Sequence, residues 1–208
     1  MVMTEAQVRD ILDRDFKIEG YIEIQSDMSV NVQGDVRMYR PSPNGIIPIK
    51  FGVVDGDFQA RNQRLTTLLN VPDSCHNLYV NGNQLTSLEY CPVYLNQLTI
   101  SYNRITNFEH APERVDLIKA FGNPFTSLVG FPDEVEQVDI MYDANLPMLR
   151  LLNAKSIHVG SPGGGYNHLQ PFQPVHDILN RYAGEGKQGA IKAAAELVKA
   201  GYKENARW

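Results

Sequence analysis

Four stretches of the chain superimpose on one another at a fixed spacing of 20 residues, with no gap needed. Leu65, Leu85, Ile105 and Phe125 hold one place, and Leu68, Leu88, Phe108 and Leu128 another. Pro72, Pro92, Pro112 and Pro132 keep the same register, as do Leu78, Leu98, Ile118 and Val138, then Val80, Ile100, Ala120 and Ile140. A unit this short cannot bury its own apolar residues, so its copies must stack side by side and share one continuous core. The segment around Leu98 to Ile100 alternates as a strand does, and its copies predict a parallel sheet. Between Leu88 and Leu95 the chain is short and carries Pro92, which predicts an extended outer side without helices. Asn83, Asn103 and Asn123 recur at one phase, followed by Asp143. The three amides read as a buried ladder, a role that needs both a donor and an acceptor.

The ends depart from the repeat. Thr4 followed by Gln7 reads as a capping box, and Val8, Ile11, Leu12 and Phe16 share a stripe at helical spacing, predicting a helix over about 5–16. Short alternating runs at Tyr21–Ile24, Val30–Val32 and Val36–Met38 predict strands. Phe58 and Ala60 precede Leu78 and Val80 by 20 residues, so the repeat extends backwards in degenerate form, with Gln63 at the asparagine phase. After Asp143 the framework continues through Leu149, Ile157 and Val159, shortened by about two residues. Ser161 to Gly165 reads as a linker. Beyond it Ile178, Leu179 and Tyr182 mark one short helix. Ile191, Ala194, Ala195 and Val198 mark the packing face of a second, ending near Gly201. Two such helices would cover the open end of the stack and its sheet edge.

The unit L-T-x-L-x-x-x-P-x-x-L-x-x-L-x-L-x-x-N-x, carried by Leu85-Thr86-Ser87-Leu88 and Phe125-Thr126-Ser127-Leu128, resembles the short leucine-rich repeats of bacterial and bacteriophage proteins. The resemblance covers roughly residues 28–160. It implies an α/β solenoid: a concave parallel sheet, an extended convex side, an N-terminal helix and a C-terminal helical cap. The expected divisions are 1–27 (capping helix and strand), 28–160 (leucine-rich-repeat solenoid) and 161–208 (Gly-rich linker and helical cap). Proteins of this kind are non-enzymatic scaffolds for binding, and some phage members are thought to neutralise host defence enzymes, including toxins that ADP-ribosylate DNA. The resemblance therefore implies a phage-encoded protein that binds a host protein and inhibits or redirects it; a cytoplasmic monomer is expected.

Charge and composition narrow the partners. Residues 169–208 hold six Lys/Arg against four Asp/Glu, which leaves 13 against 20 for residues 1–168 out of the total of 19 and 24. A net charge of -7 along the repeats is unsuited to tracking phosphates. The second reading, recognition of nucleic acid, would use Arg61, Lys119 and the basic residues Lys192, Lys199, Lys203 and Arg207. No stretch reads as a membrane span or as a secretory signal. Cys75 and Cys91 lie at different phases, and a reduced compartment is expected. The histidines His76, His110, His158, His168 and His176 are scattered without metal-ligand spacing, and Gly163 to Gly165 lacks the Lys-Ser/Thr of a P-loop. No catalytic residue, metal or cofactor is expected. Cys75 takes the inward phase of Leu95, which makes it a buried thiol despite its neighbour His76.

Three columns face outwards from the predicted sheet: Asp57, Asn77, Gln97, Leu117, Gln137; Gln59, Tyr79, Thr99, Lys119, Asp139; and Arg61, Asn81, Ser101, Phe121, Met141. Towards the C-terminal half Leu117, Phe121 and Met141 are joined by Tyr102 and Tyr142. Contiguous apolar and aromatic side chains there mark a partner-binding surface, with Tyr79, Lys119 and Asp139 beside them. The other reading of the same residues is that the C-terminal helices fold back over them.

Overall fold

The computed structural model describes residues 3–162 and 170–208. The expected glycine linker at 163–165 and His168 lie outside the described residues. Helix α1 (Glu5–Asp15) starts at the capping box: the Gln7 amide N–H donates to Thr4 Oγ1 at 3.4 Å and the Thr4 N–H to Gln7 Oε1 at 2.8 Å. Val8 and Leu12 are its buried apolar face. Strands β1 (Phe16–Ile24) and β2 (Val30–Met38) form an antiparallel hairpin. Gly20 and Gly34 oppose each other in it, and a Cβ on either would lie 1.9 Å from a carbonyl oxygen of the facing strand. The hairpin therefore closes only with glycine at both positions.

From β2 onwards every pairing is parallel. The first part of β2 pairs with β3 (Phe51–Val54) and its second part with β4 (Asp57–Gln59). Then follow β5 (Asn77–Tyr79), β6 (Tyr94–Thr99), β7 (Arg114–Lys119), β8 (Glu134–Met141) and β9 (Ala154–Gly160), in one nine-stranded sheet. Phe58, Leu78, Leu98, Ile118 and Val138 are paired neighbours in register. This is the solenoid that the 20-residue spacing demands. The shortening after Asp143 is smaller than expected: Val138 pairs with Ile157, a step of 157 − 138 = 19 residues. A 3-10 helix (Leu149–Asn153) forms the outer side of that coil. In the repeats the outer side makes tight turns, and no helix lies between β4 and β8.

The core is one continuous stack. Leu65, Leu85, Ile105, Leu68, Leu88 and Phe108 have no exposed surface, and the four prolines of the repeat are buried beside them. Phe16, Phe51 and Phe58 meet edge to face at 5.2 and 5.1 Å near one end, and Phe108 stacks on Phe125 at 4.7 Å further along.

The asparagines are the stitching between coils. Asn103 Nδ2 donates to Ile100 O of its own coil and to Val80 O of the coil before, both at 2.9 Å, while its Oδ1 accepts from the Leu85 N–H at 3.0 Å. Asn83 repeats this with Val80 O, Ala60 O and Leu65 N–H, and Asn123 with Ala120 O, Ile100 O and Ile105 N–H. The two flanking positions show why asparagine, with its length as well as its amide, is required. Gln63, one methylene longer, folds back onto Arg61 O, and Asp143, which has no donor, accepts only from the Asn145 N–H in a local turn. There the fully buried Asn205, from far along the chain, donates to Asp143 O and Leu146 O, each at 2.8 Å.

Helices α2 (Gln173–Arg181) and α3 (Gly186–Lys199) lie against β9 and the 3-10 helix. α2 buries Val175, Ile178 and Leu179. Its Asn180 side chain accepts from the Ile157 N–H and donates to Ile157 O, occupying the edge of β9 as another strand would. The Phe172 N–H adds a bond to Val159 O at 2.7 Å, and Gly184 N–H one to Leu152 O at 3.0 Å. The expected face of α3 is corrected. Gly189, Ala190, Ala193 and Leu197 are buried, whereas Ile191 and Val198 face solvent. Small residues let this helix approach the 3-10 segment closely, which the Ile191 stripe would prevent.

Two stability outcomes follow. Asn103→Ala leaves an N–H and two carbonyls in the core without partners, and is expected to lower the unfolding free energy by about 1–3 kcal/mol. Asn103→Asp, equal in size but facing two carbonyls with a carboxylate, should cost at least as much, read from chemical denaturation midpoints. A chain ending at residue 169 bares the β9 edge and the Leu149–Leu152 surface, and is expected to aggregate on expression instead of melting cooperatively.

Candidate functional site

On the solvent face of the sheet the first coils are polar and wired together. Asp35 Oδ1 accepts from the Asp57 N–H at 2.8 Å, and Asn77 Nδ2 donates to Asp57 Oδ1 at 2.6 Å. The Arg61 guanidinium lies over the Tyr79 ring at 4.3 Å. Partial burial and the Asp57 charge push the Tyr79 phenol above its ordinary value, so it stays a neutral hydrogen-bonding group. Gln97 bonds Thr99 at 3.0 Å in the next coil, and Leu117 and Lys119 are half-buried in the one after.

The C-terminal half of this face is already occupied. Phe121, expected as an exposed anchor, is only 5% exposed and meets the His158 ring edge-on at 5.9 Å. Asp139 is buried and accepts from Gln137 Nε2 at 2.9 Å. Tyr142 stacks on Phe172 at 3.9 Å, with Tyr202 edge-on to both rings. The chain returning after β9 supplies the apolar partners that the exposed reading left to another protein. Met141 is half-buried, and Tyr102 stays half-exposed, with its backbone at φ 58 and its N–H donating to Phe121 O at 2.7 Å.

A different surface is open. Along the edge where the strands begin, three adjoining hollows of about 460, 400 and 250 Å³ run from the β1–β2 hairpin to β9. The first and second share Cys75 and His76, and the second and third share Arg114 and Asp116, so they form one groove. It spans the coils from Val53 to Lys155, five strand spacings or roughly 24 Å. Tyr21, Val53 and Tyr94 stand exposed in it, Tyr94 at 64%, with exposed Val93 and Tyr90 close by in sequence. Glu23, Asp55, Asp116, Asp133, Glu134 and Glu136 line it against Arg114 and Lys155. Six carboxylates against two cations make the lining acidic, and Lys155 is held by Glu136 at 2.5 Å. The three columns read from the sequence lie on the sheet face and leave out the phases that line this groove. The available signal was Val93-Tyr94, two large residues at phases where neighbouring coils have Asp73-Ser74 and Glu113-Arg114.

Within the groove no nucleophile is prepared. Cys75 is buried while His76 is exposed and sits 3.3 Å from Asp55, and burial followed by the Asp57 charge pushes the Cys75 thiol up to about 12. Cys91 is raised for the same first reason. Among the described residues, no three His, Cys, Asp or Glu side chains group as metal ligands, and no helix is long and apolar enough to cross a membrane. Compared with protein-family models, curated proteins and solved structures, the chain matches none.

His158 and His176 face each other at 5.6 Å, where α2 meets β9. Burial, then the His158 ring, holds the His176 imidazole below its ordinary value, with Asp177 acting weakly in the opposite sense. The folded state therefore favours neutral His176. Its contribution is complete above the ordinary histidine value of about 6.5 and is lost as pH falls through the depressed folded value, because the unfolded chain takes up the proton first. Denaturation midpoints should fall as pH drops below about 6.5, and His176→Gln should flatten that slope.

Proposed function

We propose that this chain is a non-enzymatic protein-binding module, a leucine-rich-repeat solenoid whose C-terminal helices cap its last coil. The observation that carries the reading is the groove along the strand starts: rigid, continuous over several coils, acidic, and studded with exposed Tyr21, Val53 and Tyr94. Aromatic anchors on a stiff sheet lose little side-chain entropy on docking and release much surface from water, which makes them the expected hot spots. The half-open residues of the adjoining face, Tyr79, Tyr102, Leu117 and Lys119, extend the contact area. The stitched asparagines and covered β9 edge support a scaffold that presents a surface without changing shape.

The resemblance to phage repeat proteins supports a partner in the infected bacterium, and a host defence enzyme such as a DNA ADP-ribosyltransferase is the kind of target it suggests. Binding would inhibit such an enzyme or redirect it, in the host cytoplasm. Acidic lining disfavours nucleic acid as the occupant of this groove, because six carboxylates repel a phosphate backbone.

The protein captured from host lysate by the full chain, identified by mass spectrometry, provides the test. Tyr94→Ser is expected to weaken that complex by at least about 2 kcal/mol in calorimetry while leaving the melting temperature unchanged, as its side chain is exposed. Phe121→Ser, in contrast, should lower the melting temperature first, because it opens a buried site. Wild-type affinity with Tyr94→Ser, or a steep loss of affinity with salt of the kind phosphate contacts give, would reject the groove reading.

A further inference from the structure

α3 carries two apolar stripes, and the fold uses one. Gly189, Ala190, Ala193 and Leu197 are buried. Ile191, Ala194, Ala195 and Val198, spaced i, i+3, i+4 and i+7, lie together on another face. Ile191 is 76% exposed and Val198 53%. Leaving such side chains in water forgoes the gain from burial, a cost that a helix with no other duty avoids with polar residues. Beside this stripe Trp208, 45% exposed, and Leu149 complete a slot of about 510 Å³ whose lining is almost wholly apolar.

The slot is shallow and open, and it has a cationic frame. Lys187 stands in its wall and the Arg150 guanidinium lies 5.8 Å from the Trp208 ring. The nearby acids are already engaged: Glu185 with Lys192, Glu196 with Arg181 and Glu204 with Arg207. Residues 170–208 carry a net charge of +2, six Lys/Arg against four Asp/Glu, on a chain whose total is -5. From Ile191 to Val198 the stripe covers eight residues, a rise of about 10.5 Å, the span of two turns of a partner helix.

We propose that this slot is a second docking site, separate from the acidic groove, which takes an amphipathic helix with acidic flanks from a partner protein. Two or three large apolar side chains of that helix at i, i+4 and i+7 fill the slot between α3 and Trp208, and its carboxylates meet Lys187 and Arg150. Lys187 and Arg150, without an ion pair among the described residues, stand beside an apolar stripe and suit a partner helix with acidic flanks, whereas an anionic bilayer would be repelled by the rest of the chain, at -7.

Trp208 is the sole tryptophan, so its emission reports this slot alone. The full-length protein is titrated with a synthetic tryptophan-free helix of about 18 residues, with leucines at i, i+4 and i+7 and glutamates on its flanks. A saturable blue shift is expected. The same peptide with lysine flanks should bind at least about tenfold more weakly, as should the glutamate peptide to Ile191→Glu or Lys187→Glu. Both sites are at the surface, so unchanged melting temperatures certify the variants, and Tyr94→Ser should bind the peptide as the wild type does. A shift seen with phosphatidylglycerol vesicles but with neither peptide would overturn the proposal in favour of lipid. Self-association in sedimentation that Ile191→Glu abolishes would overturn it in favour of a second copy. Equal binding of both peptides, or no shift at all, would also sink it.

Discussion

The structure depends on a side-chain amide placed once in each of three successive central coils. A solenoid of 20-residue turns has corners where backbone groups point inwards, away from both water and the sheet ladder, and an unpartnered group there costs about 1–3 kcal/mol. Asn83, Asn103 and Asn123 each join their own coil to the one before, donating twice and accepting at least once. Leucine columns supply most of the burial energy, but burial alone is indifferent to small slides of one coil over the next. Directional bonds hold the register, so the sheet face and the groove beside it keep one shape.

Much of this was legible in residue order because it is periodic and local. The buried columns, the strand alternation around Leu98, the Thr4–Gln7 cap and the absence of outer helices all follow from neighbours within one or two coils. The choice between an open and a covered apolar patch was not legible, because it depends on residues far apart. Phe121 is covered by His158, and Tyr142 by Phe172 and Tyr202, contacts 30 to 60 positions apart that no period of 20 encodes. α3 was misread because both of its stripes are apolar, and the small-residue one proved the better fit to its support. Two left-handed corners per coil were half visible. Asn62, Gly82 and Gly122 announce one, but Tyr102 holds the same conformation at φ 58, and Tyr90 and His110 hold the other. Tyrosine and histidine there are tolerated because the neighbouring coils fix the backbone.

Charge divides the surface as the repeat divides the fold. Acidic residues concentrate along the strand starts, and the +2 segment of α2, α3 and the residues beyond sits against the last coil. The two faces differ in sign, each has its own exposed aromatic side chain, and neither involves the stitched interior, so residues on either can vary without disturbing the scaffold.

The asparagine bonds also set the unit in which such a chain can grow or shrink. Each amide reaches carbonyls 3 and 23 positions back and an N–H 18 back, so its geometry is tied to a coil of constant length. Losing one residue inside a coil would pull an amide off its partners on both sides. Losing or duplicating a whole coil would leave every remaining amide facing the same kind of carbonyl it faces now. Length variation in this architecture is therefore quantised in whole turns, and each added turn would lengthen the acidic groove by one strand spacing, about 4.8 Å, while leaving the helices at either end untouched.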